Sequence, residues 1–451
     1  MAPSHSGLFD SVAEKRSFQY FQTHASKVLG GSFHASFWGR EVMQAAIHHT
    51  PIRHLVVAVG AAYEAFEGGH TTRGTDVDFA LQQCNRSIQH LTTLSAAQTQ
   101  PQSPRRSPED IYCVLTASIL FIHIANIRGH FAEAIQHTRS AIRVLESFKA
   151  SDPVAFPVPL KHLRAMLLSS YGQLRCMIDT IAQGAVGDGD VLVTDLKPAT
   201  LFLSVSEAHI YIESLFHNTL AFRQDTFLRP PTTPERLKEI VLWHRELCLA
   251  LESSGDALDA LSDSMSSQQP RDEQAKSDLL ILRINHIMVA VWLRIDALQP
   301  DVRESAYDHC EADLEEMLVH CEHFVASARR SPQASKEQAR CSSGLGCVMP
   351  LHVVAARCRN PRLRRRAVKL LLECSRREGI WDSLVTGRVA AQTVEIEEQY
   401  MSPSALCYDL EPSVREVGRV REVKIELQGE RSVLLRFVIV GQGEIQKQIQ
   451  W

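Results

Sequence analysis

Segment after segment of this chain repeats its apolar residues every three to four positions, and that period dictates helices. Residues 38–49 and 52–66 are largely apolar and parted by Pro51, and 76–94 places Phe79, Cys84, Ile88 and Leu91 on one face. Residues 109–127 run into Arg128-Gly129. The next helix, 130–148, aligns Phe131, Ala134, Ile135, Thr138, Ile142 and Leu145, so the two form a helical hairpin about a Gly turn. The same reasoning predicts helices at 160–183, 205–223, 234–252, 277–297, 305–327, 347–358, 361–376 and 382–400. Only the tail changes period: 423–440 alternates and carries Gly429-Glu430, which predicts a short β-hairpin. The expectation is an all-α fold: a flexible arm at 1–15, one large domain of helical hairpins over 16–400, and a tail over 401–451 holding the hairpin. Loops are expected near 97–109, 253–276 and 328–345. The stretch 253–274, poor in large apolar residues, reads as disordered.

The segment Gly344 to Trp381 carries the sharpest local signals. Asn360 is a helix cap, and Pro361 at the first helical position gives up no hydrogen bond. Leu363, Ala367, Leu370, Leu371 and Cys374 then form an apolar stripe, with Arg362, Arg365 and Lys369 on the opposite face. Arg364 borders the stripe, where a charge is costly unless paired, so it is expected to meet a carboxylate, with the acidic run 395–398 supplying it. Gly379 is placed to end the helix and Trp381 to pack back.

With 451 residues the chain is long enough for a well-buried core. Its 48 basic and 52 acidic residues leave a net charge of −4, which argues against a protein whose main work is gripping nucleic acid. The eleven cysteines are scattered without a C-x-x-C pair and read as reduced, buried thiols of an intracellular protein. The N-terminus has no signal-peptide pattern, and no apolar stretch reads as a membrane span.

No residue pattern names a catalytic group, metal site or cofactor. His130 and His137 flank Glu133 at the wrong spacing for a zinc helix, and His48-His49 point apart. The acidic clusters at 188–190, 310–316 and 395–399 lack the spaced aspartates that hold magnesium diphosphate in helical cyclases. Gly344 and Gly346 lack the third glycine and preceding strand of a phosphate loop, 441–444 has no following helix, and no G-x-S-x-G occurs. The run 362–366, RLRRR, reads as a basic face with one packed arginine, or as a nuclear import signal. Ser107, between Arg106 and Pro108, reads as an exposed phosphorylation site.

Four blocks share a resemblance. Pro350, Leu351, Cys358, Arg359, Pro361, Arg364, Arg365, Ala367, Arg377, Glu378, Gly379 and Trp381 resemble a motif near the C-terminus of the regulatory domain in fungal zinc-cluster transcription factors. Leu115, Phe121, Arg128, Gly129, Ala134, His137 and Ala141 resemble a second block of that domain. Arg16-Ser17-Phe18, Tyr20-Phe21 and Phe37-Trp38 resemble its opening, and Pro51, Arg53-His54 and the small-residue helix after them a fourth block. Residues 185–330 and 421–440 match poorly. The DNA-reading zinc cluster, six cysteines within about thirty residues starting with C-x-x-C, is missing from this sequence.

The resemblance implies a transcription-factor-like, non-enzymatic regulator in the nucleus, working without direct DNA contact, membrane or cofactor. Its expected partners are proteins, a complete zinc-cluster factor among them, together with a small effector in an interhelical pocket; homo-oligomerisation stays open. Such regulators often govern fungal secondary-metabolite gene clusters. Two other classes remain: a helical enzyme with an unrecognised active site, and a tetratricopeptide-like adaptor built on the hairpin around Gly129, for which no second copy is found.

Overall fold

The computed structural model describes residues 8–31, 33–68, 75–97, 108–149, 159–178, 196–268, 273–295, 304–330, 340–400, 417–427 and 432–450. In chain order the helices are α1 (Val12–Tyr20), α2 (Ser26–Gly30), α3 (Val42–His48), α4 (Thr50–Glu67), α5 (Thr75–Ala97), α6 (Pro108–Arg128), α7 (Phe131–Lys149), α8 (Pro159–Ile178), α9 (Val205–Leu228), α10 (Pro234–Gln268), α11 (Glu273–Arg294), α12 (Glu311–Arg330), α13 (Val348–Arg357), α14 (Pro361–Glu373) and α15 (Ser383–Glu398). Wide π-type turns at Phe21–Ala25 and Phe37–Glu41 lead into α2 and α3, and a 3₁₀ turn at Glu304–Cys310 leads into α12. The strands are β1 (Arg340–Ser342), β2 (Arg376–Glu378), β3 (Trp381–Asp382), β4 (Val420–Leu427), β5 (Ser432–Ile439) and β6 (Gly443–Gln450). The fold is predominantly all-α.

Packing divides the chain into two compact units, where the sequence reading draws one continuous helical domain over 16–400. The first comprises Met1–Tyr171, Gln338–Gly344 and Arg377–Ile380; the second comprises Gly172–Glu337, Leu345–Arg376 and Trp381–Trp451.

The first unit is built around α4, which is buried from Leu55 through Tyr63. Small residues let α1 cross it closely: a methyl group on Gly60 would stand 2.1 Å from the Ser17 carbonyl oxygen. The hairpin of α6 and α7 turns at Gly129, whose φ of +75° an L side chain rarely adopts. Contrary to the sequence reading, α6 is long and apolar enough to pass for a membrane span, but most of it is buried inside the protein.

In the second unit, α14 starts where expected. Asn360 Oδ1 accepts the Arg362 and Leu363 amides at 3.0 and 3.5 Å, and Leu363, Ala367 and Leu371 are buried while Arg362, Arg365 and Lys369 are exposed. The helix stops earlier than expected. Cys374 caps it and Ser375 takes the left-handed φ of 43°, so Gly379, φ 56°, serves the turn between β2 and β3 instead of ending a helix.

Helix α10 runs to Gln268, so residues 253–268 of the segment expected to be disordered are helical. Ala257, Leu258 and Leu261 fall at one helical phase there and are buried, which is enough to hold the turn despite the serines and aspartates around them. The expected loops at 97–109 and 328–345 fall largely outside the described residues, as do Ser107 and Cys407.

The tail forms three antiparallel strands, β4-β5-β6, where the sequence shows two. Val433, Leu435, Phe437 and Ile439 of β5 alternate inward and pack with Val389 and Ile396 of α15. Strand β6 pairs Ile449 with Val433 and Ile445 with Phe437, but its other positions are mostly polar, as an edge strand permits.

Candidate functional site

Five charged side chains form a continuous network in the second unit, four of them buried and Arg357 partly so. Arg357 Nη1 lies 2.6 Å and Arg359 Nη2 3.1 Å from Glu304 Oε2. Arg359 Nη1 lies 2.7 Å and Arg364 Nη2 2.6 Å from Glu397 Oε2. Arg364 and Glu397 are both 0% exposed. The carboxylate expected for Arg364 within 395–398 is therefore Glu397, and its neighbour Glu398 takes Arg365 at the surface, 2.7 Å away.

Backbone groups satisfy further valences. Arg364 Nε donates to the Ala355 carbonyl at 3.0 Å, Arg359 Nη1 to Ala356 at 2.9 Å, and the Val420 amide to Glu397 Oε1 at 2.6 Å. One network thus fastens α13, α14, α15 and the start of β4. Isolated buried charges are strongly disfavoured; here each carboxylate faces two guanidinium groups. Burial lowers the pKa of Arg359 against the pull of Glu397; burial works the same way on Arg357, but there Glu304 prevails and the pKa is raised.

Arg357 is also a wall of a cleft of about 130 Å³. Trp292, Tyr307, Trp381, Met349 and Val353 supply its apolar lining, and the Arg357 guanidinium lies 5.3 Å from the Tyr307 ring centre. Trp381 Nε1 and His352 Nδ1 are buried without a hydrogen-bond partner among the described residues, and their rings lie 5.6 Å apart. Burial lowers the His352 pKa to about 4, so the imidazole is neutral near pH 7. Arg223 donates to the Trp292 carbonyl at 3.1 Å and sits over the Trp292 ring; no carboxylate pairs with it among the described residues. Aromatic walls and an uncompensated cation in one concave site are suited to holding a small molecule.

The residues singled out in the sequence fall into both units. In the second, Pro350 sits in the first turn of α13, where its missing N–H costs nothing; Leu351 and Cys358 are buried, and Pro361 opens α14. Arg364 joins the charge network and Trp381 the cleft. Burial raises the Cys358 thiol to about 11, which suits a packing role.

In the first unit, Phe37 and Trp38 are buried, and Trp38 Nε1 donates to Ser343 Oγ at 3.2 Å. Arg53 donates to Thr50 Oγ1 and the Ala46 carbonyl. His54 Nδ1 donates to Gln83 Oε1 at 2.7 Å, and Gln83 Nε2 in turn to the buried Glu14 at 3.0 Å. Arg128 lies 3.6 Å from Glu133 and Gly129 turns the hairpin. His137 stacks on Phe121 at 5.0 Å, and the Gly379 amide donates to the Ser342 carbonyl at 2.9 Å. Within that unit these are packing and hydrogen-bonding roles.

Sequence reasoning missed Glu304, Arg357, Arg223, Trp292 and His352. Arg357 is two positions from Arg359, and the pair just before Asn360 was the available signal. No family model, curated protein or solved structure matches this chain.

Proposed function

We propose that the chain is a transcription-factor-like regulator that acts through protein partners under the control of a small effector, as the resemblance to the regulatory domain of fungal zinc-cluster factors implies. A complete zinc-cluster factor is the partner, the nucleus is the setting, and a fungal secondary-metabolite gene cluster is the target. The observation that carries the reading is the continuity between cleft and motif helix. Arg357 lines the cleft, and Glu304, Arg359 and Glu397 connect it to Arg364 on α14. The outer face of α14 exposes Arg365, Lys369 and Leu372 along a groove of about 440 Å³ that α15 completes with Glu395 and Glu398. A ligand that binds one arrangement of this network better than another shifts the population presented at that surface, by as much as its differential affinity.

The test is capture from a fungal nuclear extract on the immobilised chain. Recovery of a zinc-cluster factor is the expected result. Recovery of no such factor, together with consumption of a metabolite by the purified chain, contradicts the reading and favours an enzyme.

A further inference from the structure

We propose that the cleft beside Trp381 binds a one-ring carboxylate, a small organic anion with an apolar body. Three observations lead there. The space, about 130 Å³, is close to the ~150 Å³ apolar cavity that accepts a single benzene ring, so a one-ring body fits. Trp292, Tyr307 and Trp381 provide flat apolar walls against which such a ring stacks.

Charge selects the head group. Arg223, Arg357 and Arg421 face the space against Glu422, with Glu304 behind Arg357, which leaves one positive charge in excess. Arg223 is the cation with no acidic partner among the described residues, and a guanidinium pairs with a planar carboxylate through two parallel hydrogen bonds. Inorganic phosphate matches the charge but leaves the aromatic walls unfilled.

This names the effector class of the regulatory reading and rests on that reading for its purpose, though not for the binding itself. The experiment is isothermal titration calorimetry of the full chain with sodium benzoate, benzamide and inorganic phosphate. Benzoate is expected to bind about tenfold or more tighter than either of the others, because only it offers both ring and charge. Arg223→Met is expected to weaken benzoate about tenfold while leaving benzamide within about twofold. Thermal melts by circular dichroism establish that the variants are folded. Arg421→Gln, on an exposed strand position, gives a second charge variant with little risk to folding, expected to weaken benzoate alone.

Benzamide or phosphate binding as tightly as benzoate overturns the proposal, as does unchanged benzoate affinity in folded Arg223→Met. The two readings fail separately. Benzoate that binds in the cleft without altering capture of a zinc-cluster factor overturns the effector role and keeps the site. Absent benzoate binding with capture intact overturns the site and keeps the regulator.

Discussion

Replacing Arg364 by alanine tests the buried network where it is most exposed to refutation. Arg364 is fully buried and its guanidinium lies 2.6 Å from Glu397, itself fully buried. Removing one partner of a buried pair costs about 3–5 kcal/mol when the other charge is left uncompensated. Glu397 retains Arg359 at 2.7 Å and the Val420 amide at 2.6 Å, which lowers that figure; the lost packing of the arginine stem raises it again. The expected loss is about 2–4 kcal/mol. Arg365 is the internal control: its side chain is 62% exposed and its pair with Glu398 is at the surface, so Arg365→Ala is expected to cost about 0.5 kcal/mol or less.

Glu397→Gln is expected to cost about 3–5 kcal/mol, because it leaves Arg359 and Arg364 buried with Glu304 as the remaining anion. The assay is urea denaturation followed by tryptophan fluorescence, since Trp243, Trp292 and Trp381 lie in the second unit, with far-UV circular dichroism checking that the transitions coincide. Equal midpoints for Arg364→Ala and Arg365→Ala refute the reasoning outright.

Gly60→Ala is expected to destabilise by about 1–3 kcal/mol despite alanine's better helix propensity, because the new methyl meets the Ser17 carbonyl at 2.1 Å; a thermal melt at or above the wild-type midpoint contradicts this. His123 and His352 have pKa values lowered by burial to about 4, so the unfolded chain binds protons that the folded chain does not between about pH 6.5 and 4. Stability is therefore complete above that window and falls as pH drops through it, by about 3 kcal/mol for each group; His123→Phe is expected to flatten the acid limb of a stability-against-pH curve, and an unchanged slope counts against it. Leu258→Ala, at a site 1% exposed in the segment that reads as disordered, is expected to cost about 2–5 kcal/mol, whereas a disordered segment shows no change in the melt.

How much was legible depended on whether the determining contacts are local. The cap at Asn360, the stripe on α14 and the misplaced phase of Arg364 are properties of one helix, and they located both the buried arginine and the acidic run that holds its partner. Choosing Glu397 over Glu395 or Glu398 needed the phase of α15 against α14, which is a tertiary fact. The end of α14 escapes the sequence because a serine, Ser375, takes the left-handed turn that ends the helix, while Gly379 takes its own in the β2–β3 turn.

The segment after Gly255 reads as disordered because serines and aspartates outnumber the three apolar residues whose phase decides the matter. Strand β6 hid for a related reason, since an edge strand buries little. The cleft left no sequence trace: Arg223, Trp292, Tyr307, His352 and Trp381 come from five separate elements, and no local pattern marks residues that converge only through long-range packing.

The regulatory reading meets its most direct test in the transcripts of the organism that carries this gene. Deleting the gene is predicted to change the expression of a co-regulated set of genes, and restoring the wild-type chain is predicted to reverse the change. Unchanged transcripts alongside an altered metabolite profile contradict the account and point to an enzyme instead.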